Sequence, residues 1–156
     1  MAIERVREYL AAFGIEEKIR VMNVSTATVQ LAALALGCEE ARIAKSLSFG
    51  QREGVAIVVC AGDARIDNAK YKSYFGEKAR MLPFEDAERL TGHAVGGVCP
   101  FALNEGVRVY LDESLRRFTT VFPACGSADS AIEMTPDELQ HYADKFVSWI
   151  DVCKTL

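Results

Sequence analysis

One lysine stands among apolar residues in a stretch with the alternation of a β-strand. The stretch covers residues 41–50, and successive side chains of a strand point to opposite faces. Three apolar side chains share the face of Lys45: Ile43, Leu47 and Phe49. Burial of an ammonium group is costly unless an anion pairs with it or its pKa falls, so Lys45 is a candidate functional residue. The alternative is an edge-strand lysine whose stem packs on its neighbours while the ammonium reaches water.

A glycine-rich loop at residues 93–102 is a second candidate. It contains Gly96, Gly97 and Pro100. Glycine lets a ligand approach the main chain closely, and proline stiffens the loop. Such a loop can direct several amides at one developing negative charge, as an oxyanion site requires. The alternative is a plain turn between two elements.

A thiol and an imidazole in the same loop form a third candidate. Cys99 follows His93 by six residues, and such side chains can act as nucleophile and base. A Cys99 thiol hydrolase is therefore an alternative function, although a cysteine before proline in a buried loop is more often an inert apolar residue. The five cysteines are scattered and form no C-x-x-C pair, which gives no support for a zinc site and favours reduced thiols.

The most basic segment, residues 70–80, interleaves aromatic and basic side chains. Its candidate nucleic-acid contacts are Lys70, Lys72, Lys78 and Arg80. Aromatic rings can stack on unpaired bases while lysines hold phosphates. The favoured alternative is a solvated helix face whose aromatic rings point to the core. The net charge of -4 argues against a broad, nonspecific grip on nucleic acid.

A hairpin is expected to position the lysine. Residues 50–54 form a glycine-bounded turn, and the apolar run of residues 55–62 reads as a strand covered on both faces. The two strands are predicted to pair antiparallel, which places Lys45 near the centre of the fold.

The remaining elements follow from periodicity, caps and stops. Helices are predicted at residues 3–13, 26–36, 67–75, 83–90 and from Thr135 to about residue 150, with Ser25 as the N-cap of the second. His141 is expected at the surface of the last helix. Strands are predicted at residues 19–22, 106–111, 118–122 and 131–134.

The composition is that of one ordinary globular domain. The chain has 156 residues, half of them hydrophobic and about a quarter charged. No run approaches the length of a membrane span, and the first residues lack the apolar core of a signal peptide. A cytoplasmic location and no membrane partner are expected.

Three motifs stand in order along the chain. They are Ala44-Lys45-Ser46-Leu47, the loop from Gly96 to Phe101, and Ala124-Cys125-Gly126 followed by Ile132-Glu133-Met134-Thr135-Pro136-Asp137-Glu138-Leu139. In this order they resemble the YbaK / prolyl-tRNA-synthetase-associated domain family over nearly the whole chain. The resemblance implies a single α+β domain spanning residues 1–156, with a mostly antiparallel, barrel-like sheet surrounded by helices.

The resemblance also implies an aminoacyl-tRNA deacylase. Because an aminoacyl ester is already activated, its hydrolysis is expected to need no metal or other cofactor. Family members hydrolyse mischarged tRNA, often tRNA for proline carrying a wrong amino acid. The implied partners are the acceptor end of an aminoacylated tRNA and, as an open question, prolyl-tRNA synthetase. A non-catalytic module that binds aminoacyl-tRNA or a synthetase remains the alternative from another class.

Roles follow for individual residues. Lys45 matches the family's functional lysine, and Gly96 to Pro100 match its Gly-x-x-x-Pro loop. Lys45 is expected to hold the terminal adenosine or to act as a base, and the amides of Gly96 and Gly97 are expected to line the carbonyl site. The expected substrate contacts are Ser46, Val98, Cys99, Pro100, Gly126 and Ser127. Ser46, where Thr or Asn is common, and Ala131, where some members have Asp, depart from the pattern and leave the amino-acid specificity open.

Overall fold

Five helices surround a curled, mixed sheet in a single α+β domain. The computed structural model describes residues 2–155. The helices are α1 (Ala2–Ala11), α2 (Val29–Leu36), α3 (Asn68–Phe75), α4 (Phe84–Thr91) and α5 (Pro136–Tyr142). The strands are β1 (Arg20–Val21), β2 (Ile43–Gln51), β3 (Gly54–Ala61), β4 (Ala64–Ile66), β5 (Val107–Asp112), β6 (Phe122–Pro123), β7 (Ser130–Ala131), β8 (Phe146–Ile150) and β9 (Cys153–Thr155). None of the helices within the described range is long and apolar enough to cross a membrane.

The central sheet has the strand order β6-β2-β3-β5-β8. β2 and β3 form the predicted antiparallel hairpin, whereas the β2–β6, β3–β5 and β5–β8 pairs are parallel. Two antiparallel pairs, β1–β7 and β4–β9, lie beside it. The α+β class and the barrel-like sheet are confirmed, and the sheet is more mixed than the expected antiparallel one.

The core lies on both sides of β3. Every residue from Val55 to Ala61 is buried, as the continuous apolar run predicts. One buried carboxylate ties the end of β5 to the C-terminal strands. Asp112 accepts hydrogen bonds from the main-chain N–H groups of Ser114 and Val152, each at 2.9 Å. This satisfies two donors that burial would otherwise leave unpaired.

The predicted start of the second helix is wrong by three residues. α2 begins at Val29, because the Thr28 hydroxyl accepts from the N–H of Leu31 and caps the helix. The Ser25 hydroxyl instead accepts from the N–H of Ala27 in a local turn. The predicted end is confirmed, since Gly37 adopts the left-handed conformation that closes a helix.

The predicted final helix is wrong beyond Tyr142. Ala143 takes an extended conformation and Lys145 has a φ of +56°, which ends the helix. The residues that follow, 146–150, form β8 parallel to β5. The apolar spacing in this stretch fits both the helical period of 3.6 residues and the strand period of 2. The strand forms because β5 offers an edge whose hydrogen-bonding groups it can pair with.

The strands near the second loop are shorter than predicted. Residues 113–117 form a 3-10 helix, and only Phe122–Pro123 of the expected strand at 118–122 enters the sheet. The expected strand at 131–134 is reduced to β7 and an isolated bridge between Met134 and Val121. The short strands β4 and β9 have no counterpart in the prediction.

Candidate active-site cavity

A cavity of about 310 Å³ opens between α2 and the outer edge of β2. Its walls come from five stretches of chain, namely residues 26–36, 43–48, 81–82, 95–98 and 122–131. Two of the three motifs found in the sequence, the lysine strand and the glycine-rich loop, meet here, and the start of the third lies beside them.

Lys45 lies in the wall of this cavity. It is half-buried near the start of β2, opposite Cys60 of β3. Within residues 2–155 its ammonium group has no hydrogen bond and no ion pair shorter than 4 Å. Hydrogen bonds from Arg117, and to a lesser degree the charge of Lys45, lower the pKa of the Asp63 carboxyl, which Arg117 already binds. The ammonium of Lys45 is therefore available to an oxygen brought by a ligand.

The glycine-rich loop contributes only part of itself to the cavity. Gly96 and Val98 line the wall, as does Val95, which the sequence did not single out. Gly97 does not, and its amide donates to the carbonyl of Ala94 at 2.9 Å. The amide of Gly97 is thus already hydrogen-bonded, and its expected role at a substrate carbonyl stays a prediction.

Gly97 instead lets two loops touch main chain to main chain. A Cβ atom at this position would lie 2.7 Å from the carbonyl carbon of Gly126 and 2.8 Å from the nitrogen of Ser127. Such separations are shorter than van der Waals contact. The glycine is needed for packing and holds residues 95–98 against residues 126–131.

The rest of the motif supports this wall from behind. Cys99 is fully buried, and Pro100 is buried with its carbonyl accepting from the N–H of Asp144 at 2.7 Å. Neither residue lines the cavity, and the substrate contact expected of them stays a prediction. Cys99 and Pro100 thus form the buried end of the motif, and they support residues 95–98 at the cavity wall.

The Cys99 and His93 side chains are in contact but poorly suited to nucleophilic catalysis. Cys99 Sγ lies 3.5 Å from His93 Nε2, and both residues are fully buried. His93 Nε2 also lies 2.7 Å from the carbonyl of Phe101, which only an N–H can satisfy, so this nitrogen cannot take the thiol proton. Burial raises the pKa of Cys99 to about 12 and lowers that of His93, so both stay neutral.

Removal of this thiol is expected to leave activity intact. Cys99→Ala deletes one buried sulfur and keeps the loop's main chain, so we expect a deacylation rate within about twofold of the native rate and a modest loss of stability. Single-turnover kinetics under identical conditions would measure both proteins. Loss of activity in a variant that keeps its native circular dichroism would support the thiol hydrolase instead.

The buried imidazole also predicts a pH-dependent stability. Burial holds the pKa of His93 below the ordinary value of about 6.5, so the unfolded chain binds more protons than the folded one below that pH. The free energy of unfolding should therefore fall from about pH 7.5 to 5.5, and less so in His93→Gln. Urea denaturation at several pH values measures this. Carboxyl groups with a lowered pKa, such as Asp63, act at lower pH. Equal slopes in the two proteins would contradict the prediction.

The second loop shapes the cavity through Ser130. Gly126 has a φ of +92° and lies against the start of α1, where a Cβ atom would be 2.9 Å from the carbonyl oxygen of Ala2. The Ser127 hydroxyl donates to Asp129 Oδ1 at 2.7 Å and lies 2.7 Å from Ser130 Oγ. Ser130 lines the cavity, whereas Gly126 and Ser127 do not. The substrate contacts expected of Gly126 and Ser127 stay predictions, and in the structure Ser127 adjoins the cavity residue Ser130.

The four basic residues predicted to contact tRNA lie in different environments in the structure. Lys70 is held by Asp151 at 3.2 Å and by the carbonyl of Cys153 at 2.9 Å, and its expected contact with tRNA stays a prediction. Lys72 and Lys78 line a second hollow beside α3. Arg80 directly precedes the cavity residues Met81 and Leu82 and lies 3.9 Å from Glu77.

The aromatic rings of this segment mostly face the core. Tyr71 is fully buried and its ring centroid lies 5.0 Å from that of Phe49, while Tyr74 is half exposed. This agrees with the favoured alternative for the helix itself. His141 is exposed, as expected.

Sequence reasoning missed part of the cavity wall. The start of α2, Met81, Leu82 and Ser130 all line it. The small residues of α2 indicated close packing but did not indicate against what. Ser46 and Ala131, the two departures from the family pattern, both lie in the wall.

This chain is similar in sequence to several known proteins. A sequence model described as the aminoacyl-tRNA editing domain matches residues 23–142. The chain is 50% identical over 155 residues to YwhH of Bacillus subtilis (strain 168), a protein named as uncharacterized, and the match covers 99% of this chain and 98% of that one. It is 32% identical over 95 residues to the proline–tRNA ligase of Limosilactobacillus fermentum, covering 57% of this chain and 17% of the ligase.

A solved structure has the same fold. The crystal structure of a candidate trans-editing enzyme for prolyl-tRNA synthetase superposes with a TM-score of 0.88 and 31% sequence identity. The superposition covers 98% of this chain and 97% of that one.

Proposed function

This chain belongs to the aminoacyl-tRNA editing domain family, and we propose that it hydrolyses the ester bond of a mischarged aminoacyl-tRNA. The observation that carries the proposal is a lysine that has no ion pair or hydrogen bond in the described structure and lies in the wall of a cavity formed with the glycine-rich loop. An aminoacyl ester is already activated, so its hydrolysis requires a held ester, a water molecule and donors for the oxyanion.

Lys45 is assigned to the terminal adenosine. Its ammonium group would donate to a hydroxyl or phosphate oxygen of that nucleotide, since it has no competing partner in the described part of the chain. Gly96, on the same wall, would bring main-chain groups close to the ester carbonyl. A water molecule would then attack the carbonyl carbon, and the 3′-terminal ribose oxygen would leave with a proton.

The substrate is proposed to be tRNA for proline carrying a wrong, small amino acid. The similarity to proline–tRNA ligases and to a candidate trans-editing enzyme for prolyl-tRNA synthetase supports this choice. The cavity wall contributed by Ala32, Ala124 and Ala131 is apolar and leaves room beside the ester. These alanines suit a small side chain with no charge.

The tRNA is proposed to be gripped near its acceptor end. Lys72, Lys78 and Arg80 lie on the segment that leads directly to Met81 and Leu82 in the cavity wall. Positive side chains along this path would neutralise a few phosphates, which fits a chain whose net charge is -4. Prolyl-tRNA synthetase would hold the rest of the tRNA.

A deacylation assay tests the proposal. Purified protein is mixed with tRNA for proline carrying Pro, Ala, Cys or Ser, and loss of the ester is followed under single-turnover conditions. We expect hydrolysis of at least one mischarged species and little hydrolysis of the correctly charged one. Binding of these tRNAs without turnover would instead support the non-catalytic module.

A further inference from the structure

The outer edge of β2 is interrupted for a short interval beside the cavity. At its start Ile43 and Ala44 pair with β6, and further along Phe49 pairs with Met81. Across residues 2–155 no strand lies against the edge between these two points. Residues 45–48, which span this interval, all line the cavity. A ligand in the cavity can therefore reach an unoccupied strand edge.

The main chain of Ser46 directs its hydrogen-bonding groups into this interval. The carbonyl of Ser48 accepts from the N–H of Leu82 at 2.9 Å, and the N–H of Gly50 donates to the carbonyl of Arg80 at 2.9 Å. Main-chain groups alternate between the two edges of a strand, so Ser46, two residues before Ser48, points its N–H and its C=O the same way. Ser48 cannot offer such a pair, because its carbonyl is already used.

The side chain of Ser46 is also without a partner. Its Oγ is shielded from solvent and has no hydrogen bond among the residues that the structure describes. Buried polar groups in folded proteins are nearly always paired, and an unpaired one calls for a missing partner. The N–H, the C=O and the Oγ of Ser46 are thus all available for hydrogen bonding at one point of the cavity wall.

We propose that Ser46 binds the aminoacyl group of the substrate as one added residue of a strand. The C=O of Ser46 accepts a hydrogen bond from the α-ammonium, and the N–H of Ser46 donates to the ester carbonyl. Two residues of an antiparallel pair exchange both bonds in this manner, and an aminoacyl ester carries its nitrogen and carbonyl at the spacing of one residue. The interval between Ala44 and Ser48 has room for one such residue. This inference rests on the proposed function.

The arrangement has a chemical consequence at the carbonyl. The N–H of Ser46 would polarise the C=O bond and bind the oxygen more strongly once it carries negative charge in the tetrahedral intermediate. Lys45, the preceding residue, also lines the cavity and would hold the adenosine on the other side of the ester. The amino acid's side chain then lies on the same face of the sheet as the side chain of Ser46.

The arrangement also makes the free α-amine a requirement. Replacement of the ammonium by a hydroxyl removes a charge-assisted bond to the C=O of Ser46, which corresponds to binding weaker by about 10- to 100-fold. The side chain of the bound amino acid is unchanged by this replacement. The selectivity of the site for an α-amine can thus be measured separately from its selectivity for the size of the amino-acid side chain.

Two matched, non-hydrolysable probes test the inference on the native protein. They are 3′-(L-alanylamido)-3′-deoxyadenosine and the lactyl amide of the same nucleoside, which differ only in amine against hydroxyl. Each is titrated into uniformly 15N-labelled protein. We expect the alanyl probe to move the Ser46 amide resonance downfield and slow its hydrogen exchange, and the lactyl probe to bind about 10- to 100-fold more weakly.

The outcomes separate this inference from the proposed function. If mischarged tRNA is deacylated but the Ser46 amide is unmoved by the bound alanyl probe, or both probes bind equally, the strand-like docking is wrong and the deacylase stands. If no tRNA of the panel is deacylated and neither probe binds, the proposed function fails and this inference fails with it.

Discussion

Lys45→Met is expected to lower the deacylation rate by about 100-fold or more while the protein stays folded. Methionine keeps the length and much of the packing of the lysine stem but removes the charge. Because Lys45 is assigned to holding the terminal adenosine, its loss misplaces the ester, and a misplacement of about 1 Å can cost roughly 100-fold in rate. Because the ammonium of Lys45 has no ion pair or hydrogen bond in the described structure, its removal leaves no buried partner behind.

Single-turnover deacylation of the preferred mischarged tRNA measures this effect. The matched control is Lys154→Met, the same substitution at an exposed position of β9 outside the cavity wall, which should keep the native rate. Circular dichroism and thermal unfolding report whether both variants are folded. A Lys45→Met protein with full activity would remove the role proposed for this lysine.

Gly97→Ala is expected to damage stability and activity together. The new Cβ would lie 2.7 to 2.8 Å from main-chain atoms of Gly126 and Ser127, so the two loops must separate. Overpacking of this kind costs about 1–3 kcal/mol, which corresponds to a fall in Tm of roughly 2–12 °C for a chain of this length. Since both loops contribute to the cavity wall, we expect a loss of at least about tenfold in deacylation.

The control for this variant is Ala94→Ser. It changes an exposed residue of the same loop and adds one polar atom without a clash with the main chain. Differential scanning fluorimetry gives Tm and the single-turnover assay gives the rate for both variants. Native values of both quantities in Gly97→Ala would show that the loops do not need this close contact.

The hairpin and its lysine could be predicted because local signals agree there. The run of residues 55–61 is apolar on both faces, the turn before it is rich in glycine, and the alternation in β2 is clear. Caps and stops of α3 and α4 were equally readable, since Asp67, Gly76 and Gly92 stand where helices begin and end. The position of Lys45 in the fold followed from these elements.

The end of the chain could not be predicted in the same way. Leu139, Tyr142, Phe146 and Trp149 recur at helical spacing, yet the last two belong to a strand. Residues 146–150 form a strand because they pair with the edge of β5, which lies more than thirty residues earlier in the sequence. Tertiary context of this kind is invisible to a local pattern.

The sequence indicated which residues belong to the site, but it did not indicate which of them line the cavity and which are buried in the core. Motif matching singled out residues 96–100 as a unit, but in the structure they alternate between the cavity and the core. The packing of Gly97 on Gly126 and the burial of Cys99 depend on a second loop approaching from elsewhere in the chain. The residues missed on α2 and at Ser130 are small and carry no chemical signal of their own.

The position of β8 has a consequence for how the protein is made. β8 comes from residues 146–150 and lies beside β5 from residues 107–112, in a parallel pair that only the last part of the chain can complete. During synthesis on the ribosome, one edge of β5 stays unpaired until residues 146–150 have emerged. Pairing of strands that are so far apart in sequence is slow. Residues 146–150 must therefore leave the ribosome before the central sheet can be completed.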